Sequence, residues 1–339
     1  MIRVAMLSKW HVHASDYARE AIAHPDIEIK VVWDEEPERG RQWASELGVP
    51  FEEDLNTVLS NPAIDAVIID TPTNMHKQVM LEAAKHKKHI FSEKVLAFTT
   101  KDCDEVFSAV DENEVHLMLS LKRLTDDYYL FAEEALNKGL LGKLNLVRCR
   151  LAHTGALPLE GKPFGKLPPY FFDPELCGGG ALMDLGAHPI YLTNRLAGEP
   201  RGVYARLEAN LGHKVDDNSA VLVDYSSGVL GIMEAGFGSN DSFRLELHGT
   251  DGQIIIEKGS LKIKSIHIND NQWTTPTELP AKLPSAIEQW VKQISEGIEP
   301  TITREDMWRL TQINEAALVS QSEGRRVVLS DRLVFSQID

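Results

Sequence analysis

Through the first third of the chain, short apolar runs alternate with amphipathic stretches, and that rhythm leaves few folds open. Residues 2–7, 27–33, 66–69, 89–91 and 115–119 are strand-like, and residues 14–23, 36–47, 74–86 and 101–112 between them have helical spacing. Strand–helix alternation with short connections predicts a parallel sheet wrapped by helices. The strands read as continuous apolar runs, as in Ala66-Val67-Ile68-Ile69. That is the mark of strands buried on both faces.

Beyond about residue 122 the rhythm changes. A helix is expected over 125–138, then strands over 144–152, 202–211, 219–225, 229–235, 243–249 and 253–257, and closing helices over 284–294 and 304–323. Gly-containing links such as Ser226-Ser227-Gly228 and Thr250-Asp251-Gly252 predict an antiparallel or mixed sheet. The expected fold class is therefore α/β, a doubly wound Rossmann-like parallel sheet over 1–121 followed by an α+β domain over 122–339. With 339 residues, two domains is also the natural division. The one long irregular stretch is 155–174, and loops of that length in compact domains are often functional.

Composition narrows the function classes. Lys plus Arg is 35 against 51 Asp plus Glu, a formal charge of −16. Such a surface repels nucleic acid and anionic lipid. Cys103, Cys149 and Cys177 are odd in number and far apart, so neither a disulfide framework nor a zinc pair is read from them. A reduced, cytoplasmic protein is expected. The start, MIRVAML, reads as a buried strand and not as a signal peptide, and no run reaches membrane-spanning length.

A doubly wound sheet binds dinucleotides at the carboxyl ends of its strands. The first turn here is Ser8-Lys9-Trp10-His11-Val12-His13, without the glycines that let backbone approach a pyrophosphate. The helix start at 14–16 still offers amides to an anion. Asp34 ends the second strand, where a carboxylate would bind the adenosine ribose; equally, it is an acid near a helix N-terminus. In Thr71-Pro72-Thr73-Asn74-Met75-His76, capping explains Thr73 or Asn74 but not His76. Lys94 follows Glu93 off a strand end, facing the crevice. A lone lysine is otherwise a surface ion pair.

The strongest motif is Gly178-Gly179-Gly180-Ala181-Leu182-Met183-Asp184-Leu185-Gly186-Ala187-His188. Three glycines open a helix on which Asp184 and His188 are four apart, on one face. A carboxylate beside an imidazole suits proton transfer to or from an alcohol. Asp184 and His188 lack a clear third ligand, so no metal is expected. His11 and His13 form an H-x-H pair that reads as polar packing or ligand contact.

These motifs, together with Arg123, Gly139, Gly142, Asp216-Asp217-Asn218-Ser219 and His248-Gly249-Thr250-Asp251-Gly252, resemble the glucose–fructose oxidoreductase, inositol dehydrogenase and rhizopine-catabolism (Gfo/Idh/MocA) family. The resemblance spans nearly the whole chain. It implies a nicotinamide-binding domain, an open, mainly antiparallel sheet domain, and hydride transfer to or from a sugar or polyol carbon. Lys94, Asp184 and His188 would be the catalytic group, with His188 the acid/base, Asp184 orienting it and Lys94 polarising the reacting oxygen. Cofactor contacts would come from Ser8, Trp10, His11, Asp34, Thr71, Pro72, Asn74, His76, Glu93, Lys94 and Arg123. Substrate contacts would come from His153, Tyr170 and Phe171 with Asp184 and His188. Arg150 is a further candidate for the pocket.

NAD is expected over NADP, because Asp34 would repel a 2′-phosphate. The family's Lys-Pro is Lys94-Val95 here. A cis bond before a non-proline residue costs about 2.5–4 kcal/mol, so trans is expected. An open sheet face predicts a homodimer or homotetramer. Two other classes use the same residues: a hydrolase or lyase with tightly bound NAD in a transient redox cycle, and a silent NAD-binding sensor.

Overall fold

The computed structural model describes residues 1–329; residues 330–339 of the expected second domain lie outside the described residues. The first part runs β1 (Ile2–Leu7), α1 (Ala14–Ala23), β2 (Ile27–Trp33), α2 (Pro37–Leu47), α3 (Leu55–Ser60), β3 (Ala66–Ile69), α4 (His76–Lys85), β4 (His89–Ser92), α5 (Thr100–Glu112) and β5 (Leu117–Leu119). Its five strands pair in the order β2-β1-β3-β4-β5, all parallel. Every residue of β3 is buried, as its unbroken apolar run requires. The order reverses between β1 and β3, so a crevice opens outside their carboxyl ends.

The second part runs α6 (Asp127–Asn137), β6 (Leu144–Ala152), α7 (Pro174–Cys177), α8 (Ala181–Asp184), α9 (Ala187–Ala197), β7 (Pro200–Glu208), β8 (Asn218–Tyr225), β9 (Leu230–Gly236), β10 (Arg244–Gly249), β11 (Gly252–Glu257), β12 (Ser260–Ser265), α10 (Ala286–Glu296), α11 (Arg304–Glu323) and β13 (Val327–Val328). Its strand order is β12-β11-β10-β6-β9-β8-β7-β13. All pairs are antiparallel except β6 with β9. In β8 exposed and buried residues alternate, because helices cover one face of the sheet and the other is open.

The closing helices return to the first sheet. Trp290 of α10 packs on Phe91 of β4, with ring centroids 5.7 Å apart. Glu315 of α11 accepts from the Thr100 N–H at 2.9 Å, and the Thr311 hydroxyl donates to the Ala97 carbonyl at 3.3 Å. These contacts brace the segment that follows Lys94. The 304–323 helix has the expected bounds. The short α3 and the strand β12 were not anticipated.

Candidate active site

The turn after β1 solves the missing-glycine problem with a serine. Ser8 has φ of 75°, the left-handed region where glycine is usual. Its hydroxyl accepts from the Trp10 N–H at 3.0 Å. Asp34 braces the turn from the end of β2, accepting from the Lys9 N–H and the Glu36 N–H, each at 2.8 Å. Arg39 donates to both Asp34 oxygens, at 2.6 and 3.0 Å. Asp34 is therefore buried and satisfied within the protein, and Arg39 stands between it and solvent.

Trp10 lies flat on Phe171, with centroids 5.2 Å apart and planes 8° apart, and Tyr170 meets it at 5.2 Å. This stack narrows the crevice bounded by Trp10, His11, Thr73, Lys94, Phe171 and Asp184 to about 20 Å³. That is room for little more than a water molecule. Trp10 Nε1 beside the crevice, and Thr71 Oγ1 and both Asp70 carboxylate oxygens just past the end of β3, are buried without a hydrogen-bond partner. Burial, reinforced by Glu93, raises the Asp70 carboxyl well above the usual range. A neutral Asp70 does not repel phosphate. These orphaned polar atoms fit a bound dinucleotide, whereas the Lys9, Trp10, His11 and His13 amides of the β1–α1 turn are already bonded within the protein.

Lys94 is the meeting point. Its Nζ donates to the Asp184 carbonyl at 2.9 Å and to Asp184 Oδ1 at 2.5 Å, and lies 3.6 Å from Glu93. Burial alone would lower the Lys94 ammonium, but Asp184 and Glu93 outweigh it and hold it above the ordinary lysine value. Burial would likewise raise Asp184, yet Lys94 and His11 keep it below the usual range. His11 Nε2 is 4.0 Å from Asp184, and burial lowers its ring to about 4. Glu93 is tied to the Tyr17 hydroxyl, which also reaches Ser120 at 2.7 Å.

Several expectations need correction. The Lys94–Val95 bond is cis, not trans; both sides of it are pinned, Lys94 on Asp184 and the Val95 carbonyl on His76 Nδ1 at 2.7 Å. His76 Nε2 faces the Thr71 carbonyl at 3.2 Å; the neutral ring has one N–H and donates to only one of these two carbonyls, but it is enclosed between the two strand ends and does not present itself to a cofactor. Asp184 and His188 do not share one helix. The chain breaks between α8 and α9 at Gly186, where a Cβ would come within 2.4 Å of the Leu182 carbonyl. Asp184 turns to Lys94, while His188 Nδ1 is bonded to the Tyr191 hydroxyl at 2.7 Å.

The glycine run also has a packing reason. A Cβ on Gly180 would stand 1.9 Å from the Asp216 carbonyl, and one on Gly178 would strike Phe98. The close approach lets Asp216 accept from the Gly180 and Leu182 N–H groups, each at 2.8 Å, capping α8.

Arg123 does not reach the crevice with its guanidinium. It lies 4.5 Å over the Phe243 ring and lines a separate cavity of about 300 Å³. His153 accepts from the Gly155 N–H at 2.9 Å and stacks on Phe237. Arg150 is engaged by Asp241 and Ser239. Of the expected substrate residues, Phe171 and Tyr170 come to the crevice through Trp10. Tyr191, Asp216 and Asp70 were missed. The spacing of Tyr191 three residues past His188 was the available signal.

Among the described residues, no group of three or more His, Cys, Asp or Glu side chains is placed to hold a metal ion. No helix among them is long and apolar enough to cross a membrane.

Two family models match the chain: "Oxidoreductase family, NAD-binding Rossmann fold" over residues 8–121, and "GFO/IDH/MocA C-terminal domain" over residues 129–255. A myo-inositol 2-dehydrogenase of Thermotoga maritima is 24% identical over 325 residues, covering 90% of this chain and 92% of its own. A scyllo-inositol 2-dehydrogenase (NADP(+)) of Bacillus subtilis is 28% identical over 261 residues, 76% of each chain. The solved structure of a levoglucosan dehydrogenase in complex with NADH and levoglucosan superposes with a TM-score of 0.81 at 20% identity, covering 97% of this chain and 99% of that one.

Proposed function

The chain belongs to the Gfo/Idh/MocA oxidoreductase family, and on that premise we propose that it is an NAD-dependent dehydrogenase of a sugar or polyol hydroxyl. The observation that carries this reading is the meeting of Lys94, from the end of β4, with Asp184 at 2.5 Å beneath the crevice, His188 following four residues on. When bound, the nicotinamide supplies the hydride acceptor. Lys94, kept charged, donates to the reacting oxygen and stabilises negative charge there. Asp184 keeps the ammonium charged and aimed. His188, kept neutral, takes the hydroxyl proton during oxidation and returns it during reduction.

Residues 1–121 would hold the cofactor and 122–339 the substrate. Within the first, the turn of Ser8, Trp10 and His11 would face the pyrophosphate and nicotinamide ribose, with Thr71, Pro72 and Asn74 across the crevice. NAD is the preferred cofactor because three acids, Asp34, Glu35 and Glu36, crowd the single Arg39 at the end of β2. The open face of the second sheet exposes Tyr204, Leu222 and Leu230, which supports a homodimer or homotetramer. The three buried free thiols support a cytoplasmic setting.

The stack of Trp10 on Phe171 favours one other reading, a silent NAD-binding sensor. The assembled Lys94–Asp184 pair weighs against it. The experiment is a panel of sugars and polyols with NAD, read by nicotinamide absorbance. Turnover of one or more supports the dehydrogenase; NAD binding with no turnover across the panel favours the sensor.

A further inference from the structure

Tyr191 lies one helical turn past His188 and is fully buried. Its ring meets the imidazole edge-on, with centroids 5.5 Å apart and planes at 72°. Its hydroxyl is 2.7 Å from His188 Nδ1. The same oxygen accepts from the Arg123 backbone N–H at 3.2 Å. The hydroxyl is therefore anchored to main chain on one side and to the imidazole on the other.

A phenol hydroxyl both donates and accepts. As acceptor it takes Nδ1–H and leaves Nε2 with a lone pair, the form that removes a proton from an alcohol. As donor it would give its hydrogen to Nδ1 and leave Nε2 protonated, a tautomer that cannot act as base; the proton returned to the reacting oxygen in reduction comes from the imidazolium, whose Nδ1–H stays on the Tyr191 oxygen. A carboxylate in the same place only accepts, and it favours the imidazolium.

From this juxtaposition we infer that Tyr191 is the positioning residue of the acid/base: its hydroxyl oxygen accepts the His188 Nδ1–H, holding the ring with Nε2 free to take the alcohol proton and keeping the same hydrogen bond in the imidazolium that returns it. The inference rests on His188 being the acid/base. In oxidation the alcohol O–H bond breaks and an N–H bond forms at Nε2, and the hydride of the same carbon leaves to the nicotinamide.

The surroundings keep the ring neutral. The cations around His188 are Lys94 after β4 and Lys122 and Arg123 before α6; the His13 ring, just before α1, is a fourth basic group near it. Asp126 and Cys149 lie toward Tyr191. Burial first, then those cations, hold His188 well below the ordinary histidine value. Burial raises the Tyr191 phenol, so it acts as a neutral hydroxyl.

The test combines ¹⁵N NMR of histidine-labelled protein without cofactor, NAD titration, and pH profiles of kcat/KM for Tyr191→Phe and Tyr191→Asp. In the wild type, the two His188 nitrogens should show the well-separated shifts of a single Nδ1–H tautomer. Tyr191→Phe should release that tautomer, moving the two shifts toward averaged values, and lower kcat by roughly 10–100-fold, with NAD affinity unchanged. Tyr191→Asp should move the acidic limb of the pH profile up by about a unit or more. A Tyr191→Phe enzyme with wild-type kcat and unchanged ¹⁵N shifts overturns the inference, as does an unmoved limb in Tyr191→Asp. If the Asp variant does not fold, the Phe variant decides alone. Near-normal turnover in His188→Ala would instead overturn the parent reading; lost turnover there with a normal Tyr191→Phe overturns this inference only.

Discussion

In the function proposed above Lys94 and His188 act together, yet the protein treats their charges in opposite ways. Lys94 is buried between two carboxylates, which hold its ammonium charged against the cost of burial. His188 is buried among cations, which add to that cost and hold its imidazole neutral. Burial penalises charge at both sites, so the neighbours decide the outcome. On the proposed function, one group is then a permanent electrostatic donor and the other a proton carrier. Asp184 belongs to the first arrangement and not to the second, which reverses the pairing expected from its spacing to His188.

The largest expected effects come from breaking each side separately. His188→Ala should lower turnover by roughly 10²–10⁴-fold and leave NAD binding nearly intact. Lys94→Ala should lower turnover as well and weaken NAD, since Lys94 borders the crevice. Asp184→Asn keeps its size but removes the charge holding Lys94. It should therefore resemble Lys94→Ala in its pH profile and leave the His188 limb in place. Turnover and NAD titration on one identified substrate check all three. An Asp184→Asn enzyme whose His188 limb moves would restore the Asp184–His188 pairing.

Stability should record the same contrast on the acid side. His11, His76 and His188 all have folded values below the ordinary 6.5, with burial the first cause. The unfolded chain thus binds protons more readily than the native one. Stability should be complete above about pH 6.5 and fall as pH drops toward the His11 value of about 4. For His11 alone the loss is on the order of 2–3 kcal/mol. Lys94, whose folded value is raised, should cost nothing until pH climbs past the lysine range. Denaturant midpoints from pH 8 to 4 test this, and a flat profile between 6.5 and 4.5 contradicts the neutral-histidine assignment.

How much of this was legible in the sequence depends on the distance over which each feature is determined. The run Ala66-Val67-Ile68-Ile69 announces a covered strand within four residues, and 304–323 shows its full helix because its cap, Thr303 with Asp306, is local. Lys94, Asp184 and Trp10 were found because each stands at a strand or helix end where a crevice must form. What was missed needs a partner far along the chain. Asp216 caps α8 from 34 residues away, and no periodicity signals that. The break at Gly186 is local, a Cβ there crowding the Leu182 carbonyl four residues back, but a helical projection does not register it. Arg39 covering Asp34 is within one helical turn, yet three acids compete for it and the winner is a matter of geometry.

The Asp216 cap gives a smaller effect that bears on the Lys94 side alone. Asp216→Ala leaves the Gly180 and Leu182 N–H groups without their acceptor and loosens the helix that presents Asp184. The expected loss is about 1–3 kcal/mol. Thermal unfolding measures it. Activity should fall together with Lys94 ionisation, while the ¹⁵N shifts of His188 stay put. A variant that moves the His188 signals would show the two regions to be coupled.

The smallest effect concerns the far end of the cofactor. Arg39 donates to Asp34 at 2.6 Å, to Glu35 at 2.5 Å and to Glu36 at 3.1 Å. Burial raises the Glu35 carboxyl, but Asp34 and Glu36 still outnumber the one guanidinium. A 2′-phosphate brought here would meet excess negative charge, and Arg39 would have to leave its partners to bind it. NAD should therefore bind about 10-fold more tightly than NADP, about 1.4 kcal/mol. The gap should narrow as salt rises, because the repulsion is exposed to solvent on one side. Glu36→Gln should narrow it further without disturbing the turn, since Glu36 does not brace the β1–α1 backbone as Asp34 does. Calorimetric titration of both dinucleotides at low and high ionic strength is the measurement. Tighter NADP binding at low salt would mean that Arg39 releases Asp34 to take the phosphate. The crowding that now reads as repulsion would then be a reservoir holding that arginine ready.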